Sequence, residues 1–215
     1  MRIWCLLRTT LAITAAATPS RLAAQIGSPS DPICRLPMLF DGLEITGRME
    51  YDVKAALLYR CVELVQWPPE TLAADPSTLR IGILGKNQFG QSLDCLKGKR
   101  VAGRKLVVTK ISRVTQAARC QMVFVSGSES NKVSQILSAL ATAPVVTIGE
   151  TAGFTEQGGM LNFLLSGRSI RLELNQAAAE KARIVLDPKL VQLAALFTGP
   201  KPAQTNSSES ASPKS

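Results

Sequence analysis

The 215-residue chain contains no histidine. Histidine is the usual general base of serine and cysteine hydrolases and the commonest neutral metal ligand, so its absence argues against both kinds of site. The chain also lacks a CxxC pair of the kind that zinc sites use. Four acidic residues that could work in pairs show no catalytic spacing, so each is expected to be solvated or salt-bridged: Asp94, Glu150, Glu156 and Glu173. We therefore expect no enzymatic activity, no metal and no cofactor.

Aromatic residues are also scarce, at 5% of the chain, although the formal net charge is +9. We interpret the lysines and arginines as scattered along the chain. They also lack the accompanying aromatic side chains that stack on bases in nucleic-acid-binding proteins. No nucleic-acid partner is therefore expected, and the positive charge is attributed to solubility. Acidic partners, such as phospholipid headgroups or a negatively charged protein face, remain open.

The N-terminal segment 1–24 lacks the roughly 20 consecutive apolar residues that cross a bilayer. It instead combines arginines, an apolar stretch over 9–17 and a small pair, Ala23-Ala24, which is the pattern of a cleaved secretory signal. Cleavage would remove three arginines and no acid, lowering the charge from +9 to +6. The alternative is retention as an anchor. Cys5 precedes the apolar stretch, so no cysteine stands where a lipoprotein attachment needs one.

Two further segments, one on each side of the predicted domain, are expected to be poorly ordered. Residues 25–49 contain several prolines, and residues 199–215 are rich in Ser, Pro, Lys and Ala. Such composition buries too little surface to offset the entropy of ordering, so we predict an extended N-terminal segment and a disordered tail. One ordinary domain over residues 50–198 remains.

Within that domain, short apolar runs alternate with probable helices. Apolar residues recur at helical spacing over 51–67, which predicts a helix. The prolines that follow, Pro68-Pro69, would end it. The runs that follow predict strands at 79–84, 106–111, 122–125 and 145–148, separated by helices at 87–97, 114–119 and 130–142. Strands that alternate with helices indicate parallel pairing.

The stretch 158–175 reads as two alternating strands around a two-residue turn, Ser166-Gly167. This turn would place Leu165 opposite Arg168 and Asn162 opposite Arg171, with apolar side chains sharing one face. Asn162, Arg171 and Glu173 would share the opposite face. That polar face is either solvated or internally paired, or it is a surface for a ligand or partner.

These elements predict a single α/β sandwich domain with helices on both faces of a mixed sheet. The sheet would have a parallel βαβ part and a C-terminal antiparallel hairpin. Helices at 176–183 and 188–197 would follow the hairpin, with Asn175 and Asp187 as N-caps.

The run Gly85 to Gly90 follows a predicted strand and precedes a helix, where exposed amides can hold an anion. It matches neither the Walker pattern nor the dinucleotide fingerprint. A plain turn in which Asn87 caps the helix is the preferred interpretation over ligand binding.

Together, Trp67-Pro68, the run at 85–90, the block at 158–163 and the run at 171–175 resemble the YfiR-like family of bacterial periplasmic proteins. The resemblance covers residues 50–197. It implies a periplasmic protein that binds the sensory region of an inner-membrane diguanylate cyclase and represses it, lowering cyclic di-GMP and biofilm formation. An outer-membrane lipoprotein is a further partner candidate, and a homodimer is implied by the family.

The residues that match the family pattern are the candidate partner contacts: Trp67, Asn162, Arg171, Glu173 and Asn175. Each also has a structural interpretation, since Trp67 can belong to the core and Asn175 can cap a helix. Two other functions remain open. One is a periplasmic small-ligand module with a cleft between the Gly85 to Gly90 turn and the polar face of the hairpin, and the other is an envelope scaffold.

Four cysteines follow the signal segment, an even number that allows three full pairings in an oxidising compartment. The predicted fold puts Cys95 and Cys120 near one sheet edge, so this pair is our first choice, with Cys34 and Cys61 as a second pair. YfiR-like proteins commonly carry a first-strand cysteine that meets the one matching Cys120, but here Gly82 stands in that strand. The family pairing is therefore not carried over, and a disulfide-based redox response would have to use Cys95.

Overall fold

A computed structural model describes residues 47–73, 75–167 and 169–197. The predicted signal segment, most of segment 25–49 and the tail 199–215 lie outside the described residues. Among the described helices, none has the length and apolarity that crossing a membrane requires.

The chain alternates strands and helices along most of its length. The strands are β1 (Val65–Gln66), β2 (Thr78–Leu84), β3 (Arg100–Val101), β4 (Arg104–Ile111), β5 (Met122–Val125), β6 (Val146–Gly149), β7 (Leu161–Ser166), β8 (Ser169–Leu174) and β9 (Val185–Leu186). The α-helices are α1 (Gly47–Glu63), α2 (Pro69–Ala73), α3 (Val133–Leu140), α4 (Gln176–Lys181) and α5 (Pro188–Phe197). Three 3₁₀ helices complete the list: η1 (Gly90–Leu96), η2 (Val114–Arg119) and η3 (Gly127–Lys132).

Seven strands form one mixed sheet in the order β3-β4-β2-β5-β6-β7-β8. The neighbours from β4 to β7 pair in parallel, whereas β3 and β8 pair antiparallel at the two ends. The predicted α/β class, parallel βαβ part and antiparallel hairpin are therefore confirmed. A second, two-stranded sheet, in which β1 pairs antiparallel with β9, was not predicted. Because Val65 and Gln66 take part in that sheet, α1 ends at Glu63 and does not continue to Trp67 as predicted.

Two apolar cores lie on opposite faces of the large sheet. The first core joins α1, η1 and the C-terminal helices to residues such as Ile81, Phe124 and Phe163. The second core joins η2 and α3 to residues such as Ile111 and Val123. Helices therefore cover both faces, as the alternation of strands and helices predicts.

The hairpin turn lies one residue later than predicted. Ser166 pairs with Ser169, Leu165 with Ile170 and Asn162 with Glu173, so the register differs from the predicted one by two residues. The prediction was wrong because two-residue turns of several compositions fit this stretch. A two-residue shift nevertheless leaves each side chain on its predicted face, since alternation has a period of two.

The two N-caps that the sequence predicts, Asn175 and Asp187, are observed. The Asn175 side chain accepts a hydrogen bond from Ala178 N at the start of α4, and Asp187 Oδ1 accepts one from Lys189 N at the start of α5. The predicted helix at 87–97 is a shorter 3₁₀ helix, η1, and the predicted helix at 114–119 has its expected bounds but is also a 3₁₀ helix, η2.

Candidate functional site

Polar side chains from distant parts of the chain meet where the parallel strands end. β2 has β4 on one side and β5 on the other, so the crevice at its carboxyl end is a switch point, the usual ligand position in such folds. Here it is occupied by the chain itself. We call this group the carboxyl-edge cluster; its members are Glu50, Tyr51, Lys54, Gln88 and Glu150.

Lys54 is the centre of the cluster and is only 2% exposed. Its ammonium group donates to Glu50 one helical turn earlier and, at 2.7 Å, to Glu150 Oε2. The other carboxylate oxygen of Glu150 accepts a hydrogen bond from Gly127 N at 2.7 Å. Because every charge here has a partner, the cluster ties α1 to the ends of β5 and β6.

Tyr51 extends the cluster towards the surface. Its hydroxyl lies 2.7 Å from Gln88 Oε1 and 3.2 Å from Glu150 Oε2. Burial and the negative charges of Glu150 and Glu50 raise the pKa of Tyr51 above its ordinary value, so the hydroxyl keeps its proton. The Tyr51 ring meets the edge of Phe89 at a centroid distance of 5.2 Å.

The Gly85 to Gly90 turn is built for packing and not for an anion. Lys86 N donates to Ser128 Oγ at 2.9 Å, and Asn87 Oδ1 accepts from Phe89 N at 3.0 Å. Phe89 is 3% exposed and belongs to the first core. These contacts support the preferred interpretation of a plain turn, although Asn87 closes the turn before η1 and is not the helix N-cap.

The polar face of the hairpin is an internal hydrogen-bond network. Asn162 is fully buried, and its Nδ2 donates to Thr151 O at 2.9 Å and to Glu173 Oε2 at 2.8 Å. Arg171 donates to Glu173 Oε1 at 2.8 Å. Arg171 and Glu173 keep 22% and 20% side-chain exposure, so they alone of these three reach solvent.

Two asparagines of this region hold the loop 150–160. Asn162 binds the carbonyl of Thr151, and Asn175 Nδ2 donates to Thr155 O at 2.9 Å. Between these points Phe154 turns inward and is fully buried in the second core.

Glycines on both sides make room for the Phe154 ring. A Cβ atom at Gly149 would lie 2.4 Å from ring carbons, and one at Gly159 would lie 2.1 Å from them. Gly159, within the block 158–163, therefore has a packing explanation, whereas the neighbouring Gly158 has a φ of +100°, a conformation that favours glycine.

Trp67 is largely buried. It is 8% exposed, packs in the first core and donates its indole N–H to Gln121 O at 2.8 Å. Burial in this conformation makes Trp67 and Asn162 the poorest placed of the candidate contacts. Arg171 and Glu173 remain, together with the half-buried Asn175.

The predicted disulfide between Cys95 and Cys120 is not formed. Cys95 packs against the first core, and its Sγ donates to Ser92 O at 3.1 Å, whereas Cys120 lies in the second core across the sheet. The prediction failed because it placed the residues along the sheet edge without assigning a face to each. The second proposed pair involves Cys34, which lies outside the described residues.

Burial also makes two of the thiols poor nucleophiles. It raises the pKa of Cys61 to about 12, and it raises the pKa of Cys120 despite the nearby Arg80. A Cβ atom at Gly82 would lie 3.0 Å from Cys120 Sγ, close to the roughly 3 Å that separates a Cβ from the far sulfur of a disulfide. A cysteine at position 82 could therefore meet Cys120, as the resemblance implies for relatives.

Within the described residues no group of three or more His, Cys, Asp or Glu side chains is arranged to hold a metal ion. A family model described as YfiR/HmsC-like matches residues 51–195, which is more than half of the chain and includes all three surface candidates. No curated protein matches the sequence.

Proposed function

The chain belongs to the YfiR/HmsC-like family, and we propose that it binds the sensory region of an inner-membrane diguanylate cyclase and represses cyclic di-GMP synthesis. Family membership supports a periplasmic regulator of a diguanylate cyclase and not a catalyst. The proposal adds the direct contact, the sign of the effect and the resulting decrease in biofilm formation.

The observation that carries the proposal is the position of β8. This strand is the last one of the described sheet, so one side of its backbone has no neighbouring strand among the described residues. Arg171 and Glu173 lie on it, and Leu165 at the hairpin end is 43% exposed. A charged pair beside an open strand edge and an apolar side chain suits recognition of a protein surface. We call this surface the hairpin edge.

Contacts within the protein hold the charged side chains of the hairpin edge in one arrangement. Asn162 fixes Glu173, Glu173 fixes Arg171, and α5 packs against β8. A rigid surface loses little entropy on binding, which favours affinity. Repression then needs only stronger binding to the inactive sensory conformation than to the active one.

Three further features belong to the proposal on the strength of the family resemblance alone. They are homodimer formation, release by an outer-membrane lipoprotein and a response to oxidation. For oxidation, the high pKa of Cys61 and Cys120 argues against these two thiols as sensors. Cys95 is half-buried and is the better candidate among the described cysteines.

The small-ligand alternative gains no support from the geometry. Its cleft needs the Gly85 to Gly90 turn beside the polar face of the hairpin, but β5 and β6 lie between β2 and β7 in the sheet. No described feature favours the envelope scaffold over the regulator.

The proposal is tested by measuring cellular cyclic di-GMP in a strain that lacks the gene. Deletion should raise cyclic di-GMP, and the full-length gene should restore the original level. A version without residues 1–24 should fail to restore it, because the protein would not reach the sensory region. Equal levels in all strains, under conditions in which the protein is made, would contradict repression.

A further inference from the structure

Almost all of the net charge of the chain resides in one segment. Residues 95–128 contain eight lysines and arginines and no aspartate or glutamate. The rest of the chain carries 17 basic and 16 acidic residues, for a net charge of +1 against +9 for the whole. The interpretation of the basic residues as scattered is therefore wrong.

The fold gathers this charge at the sheet edge opposite the hairpin edge. The charged residues of the segment lie in or next to β3, β4 and η2, and beyond its short pairing with β3, β4 is the edge of the described sheet. An eight-residue strand is about 26 Å long, so the charges form an elongated strip. We call it the basic edge; its exposed members are Lys97, Arg100, Lys105, Lys110, Arg113 and Arg119.

The basic edge keeps like charges together, and most of them have no salt-bridge partner among the described carboxylates. Arg100 and Lys105 are direct cross-strand partners, an arrangement that destabilises an antiparallel pair. Arg104 Nε is buried without a hydrogen-bond partner in the described structure. Lys97 pairs with Asp94, but no described carboxylate forms a salt bridge with the other exposed members of the basic edge.

Protection of an edge strand from aggregation explains part of this pattern. Lysines on an edge strand prevent pairing with other chains, and Lys105 and Lys110 meet that need. Arg100 lies on the terminal strand β3 and serves the same end, whereas Arg113 and Arg119 lie outside both β3 and β4, so edge protection does not explain these two. Their position beside the other cations points to an anionic partner.

We infer that the basic edge binds the surface of an anionic phospholipid bilayer. Protein interfaces are usually anchored by buried aromatic or large apolar side chains. The large apolar side chains that are exposed among the described residues are Leu165, Val185 and Val191, and all three lie outside residues 95–128. A strip of cations without an apolar anchor instead suits a plane of phosphate headgroups, to which each cation near the surface contributes about fivefold in affinity.

The test is sedimentation of the mature chain, residues 25–215, with lipid vesicles. Vesicles of equal parts phosphatidylglycerol and phosphatidylethanolamine should bind it at low salt, and phosphatidylcholine vesicles should not. Because exposed charges are screened within about 10 Å at 0.1 M salt, binding should weaken steeply as salt rises. The assay contains no cyclase, so its failure would leave the proposed regulatory function intact.

Variants assign the binding to the basic edge. Replacing Arg100, Lys105 and Lys110 together by glutamine should weaken vesicle binding by about a hundredfold, given about fivefold for each cation. The matched control replaces three exposed lysines elsewhere, Lys132, Lys181 and Lys189, by glutamine and should bind like the wild type. Circular dichroism melting of both variants checks that each is folded.

Three outcomes would overturn the inference. They are wild-type binding to neutral vesicles as strongly as to anionic ones, equal losses in the two triple variants, and no vesicle binding although acidic polyglutamate is bound. The last result would assign the basic edge to an acidic protein. If the basic-edge variant does not fold, the inference is tested by the salt dependence and the lipid preference of wild-type binding.

Discussion

Replacing Lys54 by methionine should lower the free energy of unfolding by about 3–5 kcal/mol, the usual cost of removing one partner from a buried ion pair. Lys54 is 2% exposed and Glu150 has 5% side-chain exposure, so the carboxylate would remain in the interior without its cation. Urea denaturation followed by circular dichroism measures the loss. A second variant, Lys54→Met with Glu150→Gln, should recover part of it, because the glutamine oxygen can still accept from Gly127 N.

The matched control for this prediction is Lys97→Met. Lys97 pairs with Asp94 at 2.8 Å, much as Lys54 pairs with Glu150, but its side chain is 76% exposed. Its loss should cost less than about 1 kcal/mol, because water already solvates both charges. Similar costs for Lys54→Met and Lys97→Met would show that the carboxyl-edge cluster is not a buried network in solution.

Replacing Phe154 by alanine should cost about 3–5 kcal/mol, because the ring is fully buried in the second core and its loss leaves a cavity. Gly149→Ala should cost about 1–3 kcal/mol for the opposite reason, since the new methyl group would overlap the ring. In the Phe154→Ala background, Gly149→Ala should be nearly neutral or stabilising, as the methyl group enters the vacated space. Thermal and urea unfolding of the four proteins gives this coupling.

Gly127→Ala is the matched control for the glycine substitution. A Cβ atom at Gly127 would lie 3.5 Å from Glu150 Oε1, an ordinary contact, so the change should have little effect in either background. If the effects of Gly149→Ala and Phe154→Ala were simply additive, the packing explanation for the glycines around Phe154 would be incorrect.

Much of the fold was predictable because its signals are local. The strand at 122–125 was predicted with its observed bounds, and the alternation of strands and helices gave the parallel pairing. The hairpin faces were also predicted, since they depend only on the period of two in each strand. The turn position and the β1–β9 sheet were missed because they depend on competition between alternative turns and on strands of only two residues.

The candidate site was only partly predictable for a different reason. Arg171 and Glu173 were identified from the hairpin pattern and lie on the surface, but Trp67 and Asn162 proved to be buried. Lys54 was missed altogether. Its pairing with Glu50 at i and i+4 is a local pattern, yet its contact with Glu150 joins residues 96 positions apart. The periodic pattern of apolar and polar residues carries no information about a contact between residues so far apart in the chain.

The most direct test of the regulator account is the activity of a membrane diguanylate cyclase that co-isolates with this protein. Adding the mature chain should inhibit cyclic di-GMP synthesis in a saturable way. Arg171→Glu should need about tenfold more protein for the same inhibition, because it places a wrong charge at the interface. The matched control is Arg60→Glu, which reverses the charge of an arginine whose salt bridge with Glu63 is about as exposed as that of Arg171 with Glu173. This variant should inhibit like the wild type. Absence of inhibition at saturating protein would contradict the repressor role, and equal potency of Arg171→Glu and the wild type would contradict its assignment to the hairpin edge.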